Sequence, residues 1–380
     1  MTSLVVAAGG AAWEPAALAA VEGAEHLSLA RRCVDVAELL AVARTGAASA
    51  ALVDPGLPGL DLAVVDELER AGVTVATCGD AEAAAALRIV RSCAAERLAE
   101  VDWESWSPRP ASRPEPAEQG RTLVVWGPAG APGRSTLAVG FAAAARARGA
   151  RVALVDADVA GGTLAQQLGV LDDLSGVLAA CRAAGLGQDA VDEQLVEVEP
   201  GWRLLTGIAR PDMWPHLRIA SMDAVVERLR ADHDLVVLDV GSGLDLDAGR
   251  SRHGLTRHLV ETADDVMVVG RADPVGLSRL VRGLAEVAEL TGGPPSSLVV
   301  NQTRPSLGWN EREIADTLRR LSNCAPDAFL PMDTAGLDAA AMLGRSAREA
   351  VPTSPFVRRL DVLVASFLAE RRVIASPRST

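Results

Sequence analysis

Short apolar segments alternate with Ala-rich amphipathic stretches along most of the chain. In the C-terminal two-thirds the apolar segments are uninterrupted, as in "LVVW" and "LVVLD". Continuous apolar strands separated by helices are typical of a parallel sheet with both faces covered. We therefore predict an α/β fold with strands at Leu123–Trp126, Val152–Asp156, Trp202–Leu205, Leu235–Asp239, Val266–Val269, Leu298–Asn301 and Ala328–Leu330.

Helices are predicted between these strands, and a last amphipathic helix is predicted at Phe356–Arg371. Its polar face mixes Asp361 and Glu370 with arginines instead of presenting a basic array. That mixture favours a helix that closes the core of the sheet over one that lies on a membrane surface. The other helices are predicted at Met222–Ala231, Gly276–Leu290 and Asn310–Leu321.

The N-terminal part repeats the alternation on a smaller scale, with strands at Leu4–Ala7, Ala50–Asp54 and Val73–Thr77 and a helix at Val34–Ala43. The segment "WESWSPRPASRPEPAEQG" that follows holds four prolines, which fit an extended linker. We predict a small domain over residues 1–102, a Pro-rich linker over 103–120, a larger domain over 121–372 and a disordered tail over 373–380.

Composition narrows the classes of function. The net charge is −13, all 37 basic residues are arginine, and the excess of acidic over basic charge concentrates in the N-terminal third. Such a surface repels phosphate backbones and disfavours DNA binding. The five cysteines are scattered without metal-ligand spacing, and no apolar run approaches a bilayer span. These features predict a cytoplasmic protein with reduced thiols and at most a peripheral membrane association.

A glycine-rich turn follows the strand Leu123–Trp126. The segment "GPAGAPGRST", Gly127–Thr136, opens an Ala-rich helix. Backbone N–H groups in such a turn, together with a helix N-terminus, form an anion site. Arg134 would supply a cation, and the Ser135 hydroxyl is a suitable Mg²⁺ ligand. The segment therefore predicts a phosphate-binding loop.

Carboxylates follow two other predicted strands. Asp156 and Asp158 lie in "RVALVDADVAGG", and Asp239 ends "DLVVLD" before a run of glycines. Because the carboxyl ends of parallel strands meet at one edge of a sheet, these side chains should converge on the loop. We predict that Ser135, Asp156 and Asp239 hold Mg²⁺ and that Asp158 orients the attacking water.

Residues 121–370 resemble the MinD/ParA group of P-loop ATPases, which combines a deviant phosphate loop, an Asp-x-Asp strand end and a Walker B strand. The resemblance implies that Gly130, Gly133, Arg134, Ser135 and Thr136 bind ATP with Mg²⁺ and that Asp158 activates water. It also implies that Asn301, in "LVVNQTR", contacts the purine, and that "LPMD" at Leu330–Asp333 forms a loop beside the base. A homodimer is implied as well.

A small domain, a linker and then this ATPase is the layout of the CpaE/TadZ branch, whose members localise Flp-type pilus or Tad secretion machinery. Related actinobacterial septum-site proteins share it. The resemblance implies a receiver-like, flavodoxin-like N-terminal domain, a P-loop NTPase domain, protein partners in a pilus, secretion or division assembly, and recruitment to a pole or septum.

Three positions depart from the family pattern. Ala129 stands where the family has its signature lysine, Arg134 replaces the loop lysine, and Pro132 removes one backbone N–H. One lost charge-assisted hydrogen bond costs about 1.5–3 kcal/mol, a tenfold to hundredfold loss of affinity. Nucleotide binding survives such a loss, whereas hydrolysis should be slow. A pseudo-ATPase scaffold without turnover is therefore an alternative.

A glycine-rich turn with Asp156 about twenty residues further on also fits an NAD-dependent enzyme, which is a second alternative. That fold has no use for Arg134, Ser135, Asp158 or Asp239. In the N-terminal part, "ALVDPGLPGLD" resembles the acceptor strand of a receiver domain, with Asp54 as the acceptor. The acidic residues that would hold Mg²⁺ are replaced by "AAGGAA". We therefore predict a pseudo-receiver that is not phosphorylated and that serves protein contact.

Overall fold

The computed structural model describes residues 2–24, 26–101, 119–130, 132–170, 175–185, 191–245, 251–371 and 373. The chain divides into two compact units. The smaller unit holds the described residues within Met1–Ala117, Cys181–Ala190 and Ala220–Ala224, and the larger unit holds those within Glu118–Ala180, Val191–Ile219 and Val225–Thr380. The predicted linker before Gln119 and the predicted tail after Val373 lie outside the described residues.

The N-terminal elements form a four-stranded parallel sheet with helices between the strands. In chain order they are β1 (Thr2–Ala7), α1 (Glu14–Glu22), β2 (Leu27–Arg32), α2 (Val36–Arg44), β3 (Ala50–Val53), α3 (Leu62–Arg70), β4 (Thr74–Thr77) and α4 (Ala81–Ala86), followed by a 3₁₀ turn at Ala95–Glu100. The strand order is β2-β1-β3-β4. This order matches the first four strands of a flavodoxin-like sheet. The receiver-like assignment itself stays a prediction.

Strands β1, β3 and β4 of this small sheet are largely buried on both faces, and their side chains alternate between two hydrophobic clusters. In β1, Val5 and Ala7 belong to one hydrophobic cluster, whereas Leu4 and Val6 belong to another. Aspartates begin three of the surrounding helices. The side chains of Asp35, Asp61 and Asp80 each accept a hydrogen bond from a backbone N–H in the first helical turn.

The remaining elements build an eight-stranded sheet. In chain order they are β5 (Arg121–Trp126), α5 (Arg134–Arg146), β6 (Val152–Ala157), α6 (Leu164–Gln167), α7 (Gly176–Gly185), β7 (Val196–Glu199), β8 (Trp202–Leu205), α8 (Ile219–Asp232), β9 (Leu235–Val240), α9 (Gly254–Thr262), β10 (Asp265–Arg271), α10 (Pro274–Thr291), β11 (Ser297–Thr303), α11 (Glu311–Ser322), β12 (Ala328–Pro331), α12 (Thr334–Leu343), α13 (Ala347–Ala350) and α14 (Pro355–Arg371). Short 3₁₀ turns lie at Asp192–Gln194, Pro211–His216 and Pro305–Leu307.

The strand order of this sheet is β12-β11-β10-β5-β9-β6-β8-β7. All neighbours pair in parallel except β7, which is antiparallel to β8 at one edge. The predicted α/β class and all seven predicted strands are confirmed. Strand β9 separates β5 from β6, whereas the first two strands of a dinucleotide-binding fold are adjacent. The strand order therefore argues against the NAD-dependent alternative.

The last helix, α14, closes the core over α5, as its pattern predicts. Phe367 meets Phe141 edge to face with 5.1 Å between ring centroids, and the Arg371 guanidinium lies 4.0 Å from the centre of the Phe367 ring. A Cβ added to Gly140 would lie 2.5 Å from Leu360, so the two helices approach closely at that glycine. Within the described ranges, no helix combines the length and apolarity needed to cross a bilayer.

We expect Phe367→Ala to lower the free energy of unfolding of the larger unit by about 3–5 kcal/mol, because it leaves a cavity in a fully packed core. Val362→Ala is the matched control on the same helix. Val362 is 67% exposed, so its substitution should change the free energy by less than about 0.5 kcal/mol. Urea denaturation of both variants measures the difference. Similar losses would contradict the closing role of α14.

Candidate phosphate- and metal-binding site

The loop between β5 and α5 depends on three glycines. Gly130 and Gly133 have backbone φ values of +115° and +93°, which residues other than glycine rarely adopt. Gly127 lies so close to the backbone of β10 that a Cβ would collide with the carbonyl oxygen of Val269. The chain can therefore turn sharply from the strand into the helix, as the motif predicts.

The first turn of α5 supplies backbone donors to this loop. Gly133 is the N-cap residue, and the N–H of Leu137 donates to its carbonyl oxygen at 2.9 Å. The N–H groups of Arg134, Ser135 and Thr136 precede that first intrahelical bond and have no partner within the helix. They make the start of α5 suited to a phosphate group. The Thr136 side chain also lines a separate cavity of about 190 Å³ beside α12.

Asn301, at the end of β11, contacts the loop directly. Its Nδ2 donates to the carbonyl oxygen of Pro132 at 2.8 Å, and its Oδ1 accepts from the N–H of Gln302 at 2.8 Å. A Cβ at Gly133 would lie 2.5 Å from Nδ2, so the glycine makes room for this amide. The structure thus brings Asn301 to the loop. Its predicted contact with a purine stays a prediction.

Asp156 and Asp239 lie side by side at the carboxyl ends of β6 and β9, where they are paired in register. Asp156 is buried, and its oxygens accept hydrogen bonds from the N–H groups of Asp158 at 3.3 Å and Leu164 at 3.1 Å. Burial raises the pKa of Asp156 to about 6. These hydrogen bonds oppose the rise, and the nearby carboxylate of Asp158 adds to it.

Asp239 is the most deeply buried of the three carboxyl groups at the site. Both carboxyl oxygens are buried, and neither has a hydrogen-bond partner among the described residues. Burial raises the pKa of Asp239 well above its ordinary value, and the neighbouring Asp156 raises it further. The Ser135 hydroxyl and the Arg134 guanidinium lie near enough to favour the ionised form, but the hydroxyl makes no hydrogen bond of ordinary geometry with it.

The predicted magnesium ligands fit a cation on these observations. An unpartnered buried carboxyl group is costly unless another group neutralises it. Among the described residues, no three His, Cys, Asp or Glu side chains are grouped to hold a metal ion by themselves. Mg²⁺ commonly binds through one or two carboxylates, with phosphate oxygens and water completing its shell. Ser135, Asp156 and Asp239 thus offer oxygen ligands for a cation whose shell a phosphate would complete, and their role as Mg²⁺ ligands stays a prediction.

Arg134 points into the site instead of out toward solvent. Its Nε donates to the carbonyl oxygen of Val240 and its Nη1 to that of Gly127, both at 3.1 Å. Its Nη2 lies 3.8 Å from Oδ2 of Asp158. The guanidinium thus joins the ends of β5 and β9, and Asp158 neutralises its charge. Binding of phosphate by Arg134, as predicted, requires some of these contacts to be exchanged.

Asp158 lies between the end of β6 and the segment that follows β9. Its Oδ1 accepts a hydrogen bond from the N–H of Ala160 at 2.8 Å, and a Cβ at Gly241 would lie 2.9 Å from the same oxygen. Its side chain is 12% exposed, so it borders the site instead of lying in the core. All three predicted carboxylates are therefore at the strand ends around the loop.

Two arginines that the sequence analysis did not single out also contact the loop. Arg271, the last residue of β10, donates from Nη1 to the carbonyl oxygen of Gly130 at 3.3 Å. Arg279, in α10, donates from Nη1 to that of Ala129 at 3.1 Å. Arg271 had the signal of a polar residue at a strand end. Arg279 had none, because its contact depends on how α10 packs beside the loop.

In the smaller unit, Asp54 already has protein partners. Its Oδ2 accepts a hydrogen bond from the indole N–H of Trp13, and its Oδ1 accepts one from the N–H of Gly56, both at 2.8 Å. Ala8, Gly9 and Gly10 follow β1, where a phosphate-accepting receiver would need acidic residues. Asp54 is therefore engaged within its own unit, and both the pseudo-receiver assignment and the absence of phosphorylation stay predictions.

We expect Asp239→Asn to stabilise the ligand-free protein more as the pH rises. The native pKa of Asp239 lies above its unfolded value, so its contribution to stability is present below about pH 4 and declines as the pH rises. Asn carries no charge and does not titrate. Variant and wild type should therefore unfold at similar urea concentrations at pH 4, and the variant should be the more stable of the two at pH 8. A difference in stability between variant and wild type that does not change with pH would contradict the raised pKa of the buried Asp239.

No protein-family model and no curated protein matches this chain. Solved structures do match it. A ParA family ATPase from Chlorobium tepidum TLS is 18% identical, with a TM-score of 0.55 over 64% of this chain and 98% of that one. The septum site-determining protein MinD of Pyrococcus horikoshii OT3, complexed with Mg-ADP, is 16% identical, with a TM-score of 0.53 over 68% and 99%. A chain of the MinC:MinD cell division protein complex from Aquifex aeolicus is 16% identical, with a TM-score of 0.54 over 69% and 99%. The chain is thus α/β with mostly parallel sheets and contains the fold of the ParA/MinD P-loop ATPases.

Proposed function

We propose that this chain binds ATP with Mg²⁺ at the loop between β5 and α5 and acts as a nucleotide-dependent positioning protein. The observation that carries the proposal is Asp239, whose two buried oxygens lack partners beneath a phosphate loop. A buried carboxyl group without a partner costs free energy in the ligand-free protein. A cation held between it and a triphosphate would remove that cost.

The residues of the site divide the work. The backbone N–H groups at the start of α5 hold phosphate oxygens, with Gly130 and Gly133 shaping the turn. Ser135 and Asp239 hold Mg²⁺, and Asp156 orients its water or coordinates it. When bound, the ion neutralises phosphate charge. Asn301 lies beside the loop at Pro132, where it can exchange its contact for one with the base.

Hydrolysis, in this proposal, is slow. Asp158 would accept the proton of the attacking water, but its carboxylate lies beside the Arg134 guanidinium, and that contact competes for it. Arg134 also donates two hydrogen bonds to backbone carbonyl groups. The same contacts favour the second candidate function, a pseudo-ATPase scaffold that binds nucleotide or partner without turnover.

The positioning role rests on the fold and on the layout of the chain. Similar folds occur in a ParA family ATPase and in MinD proteins, one of them solved with MinC. The small N-terminal sheet has the strand order expected for a receiver-like domain. We infer a homodimer of the CpaE/TadZ type that docks a pilus, Tad secretion or septum assembly in the cytoplasm, with the N-terminal domain as a docking module.

Isothermal calorimetry tests the nucleotide site. Wild type should bind ATP with Mg²⁺ and should not bind NAD. Asp239→Asn should weaken ATP binding about tenfold to a hundredfold when Mg²⁺ is present, because a cation ligand is lost. With excess EDTA the two proteins should bind ATP equally well.

Asp234→Asn is the matched control for that measurement. Asp234 immediately precedes β9, at the end of the strand opposite Asp239, and pairs with Arg151 at 2.8 Å. Its substitution should leave ATP affinity unchanged. Equal loss in both variants, or a loss at Asp239 that persists without Mg²⁺, would contradict the metal role.

Phosphate release distinguishes the slow ATPase from the scaffold. We expect wild type to release phosphate slowly from ATP and Asp158→Ala to release none, because the water then lacks its acceptor. Calorimetry on the same variant should show that ATP still binds. Equal background rates in wild type and variant would leave only the scaffold.

A further inference from the structure

Two arginines donate hydrogen bonds to consecutive carbonyl groups of the phosphate loop. Arg279 bonds the oxygen of Ala129 at 3.1 Å and Arg271 bonds that of Gly130 at 3.3 Å. Both arginines come from rigid elements. Arg271 ends β10 and pairs with Asp273 at 2.8 Å, and Asp273 caps α10 by accepting from the N–H of Gly276 at 2.9 Å. The Arg271 guanidinium is thus held beside the loop by Asp273, whereas the exposed Arg279 side chain is held by its contact with Ala129.

The contact at Ala129 sets the direction of a backbone donor. In a trans peptide the C=O and the following N–H point in opposite directions. With the Ala129 oxygen directed at Arg279, the N–H of Gly130 points away from α10. A Cβ at Gly130 would lie 2.3 Å from Nη1 of Arg279, so a side chain there would displace the end of the arginine. The glycine and the arginine therefore fit each other.

The arginines around the loop differ in how their charges are balanced. Asp158 lies beside Arg134, and Asp273 lies beside Arg271. Among the described residues, Arg279 has no carboxylate within ion-pair distance, and its hydrogen bond goes to the neutral carbonyl group of Ala129. Its positive charge therefore remains available to raise the potential over Ala129, a position that carries no charge of its own.

Arg279 also separates two cavities at the loop. One measures about 260 Å³ and is lined by Arg271, Asp273 and Gly130. The other measures about 360 Å³ and is lined by Trp126, Ser242 and His253. Both share Pro128, Ala129 and Arg279 as a common wall. Arg279 therefore lies beside Pro128 and Ala129 at the border of both cavities.

We propose that Arg279 is a positioning residue for the phosphate loop. It holds the Ala129 carbonyl group outward, so that the Gly130 N–H is oriented before a ligand arrives, and it supplies the positive charge that Ala129 lacks. The ligand class is a polyphosphate. That part rests on the proposed nucleotide function, whereas the holding of the loop does not.

Three variants of the full chain test the proposal. Arg279→Ala removes both the contact and the charge, and Arg279→Lys keeps the charge without the planar fork. Arg282→Ala is the control, because Arg282 lies one turn along the same helix and, among the described residues, forms hydrogen bonds with Ser278 and none with the loop. Calorimetry with ATP–Mg²⁺ and with inorganic tripolyphosphate measures affinity. Hydrogen exchange of the peptide over residues 127–137 measures the loop without any ligand.

We expect Arg279→Ala to weaken both ligands about tenfold to a hundredfold, Arg279→Lys to lose less, and Arg282→Ala to stay within about twofold of wild type. Exchange in the loop should be faster in Arg279→Ala alone. Equal affinities in the two alanine variants, or unchanged exchange, would overturn the proposal. If wild type binds no ATP, the nucleotide function fails, and the exchange result alone then decides whether Arg279 holds the loop.

Discussion

A carboxyl group without a partner governs the candidate site. Asp239 sits at the end of a wholly buried strand, with Asp156 opposite it on the neighbouring strand and both oxygens removed from water. Two buried carboxyl groups this close together resist ionisation, so ionising both of them costs free energy. Proteins keep such arrangements where a bound ion or ligand relieves them. Ser135 and Arg134, at the start of α5, lie near that point, and for this reason we propose a phosphate and its cation as the ligands.

Much of the fold was predictable because central parallel strands are apolar on both faces. The seven predicted strands of the larger sheet are short and uninterrupted, and each is present. The strands that the pattern did not indicate, β2 and β7, each lie at one edge of a sheet. In β2, "LSLARR", most side chains are exposed, and β7, "VEVE", is a short antiparallel strand. Neither carries the continuous apolar signal that burial on both faces produces.

The candidate site divides along similar lines. The convergence of Asp156, Asp158 and Asp239 followed from one rule of parallel sheets, and the glycines of the loop followed from the sharp turn. The direction of Arg134 did not follow, because it depends on two carbonyl groups that the strand ends of β5 and β9 present. The contact of Arg279 with Ala129 depends on helix packing over 150 residues of intervening chain, which no local pattern contains.

The closure of the core by α14 has a consequence for the order of folding during synthesis. Helix α5, the first of the larger unit, packs against α14, the last. A ribosome must therefore release nearly the entire unit before Phe141 can meet Phe367. Contacts between such distant segments slow folding, and they leave apolar surface uncovered in the meantime. The face of α5 that packs against α14 would stay uncovered until α14 has been synthesised.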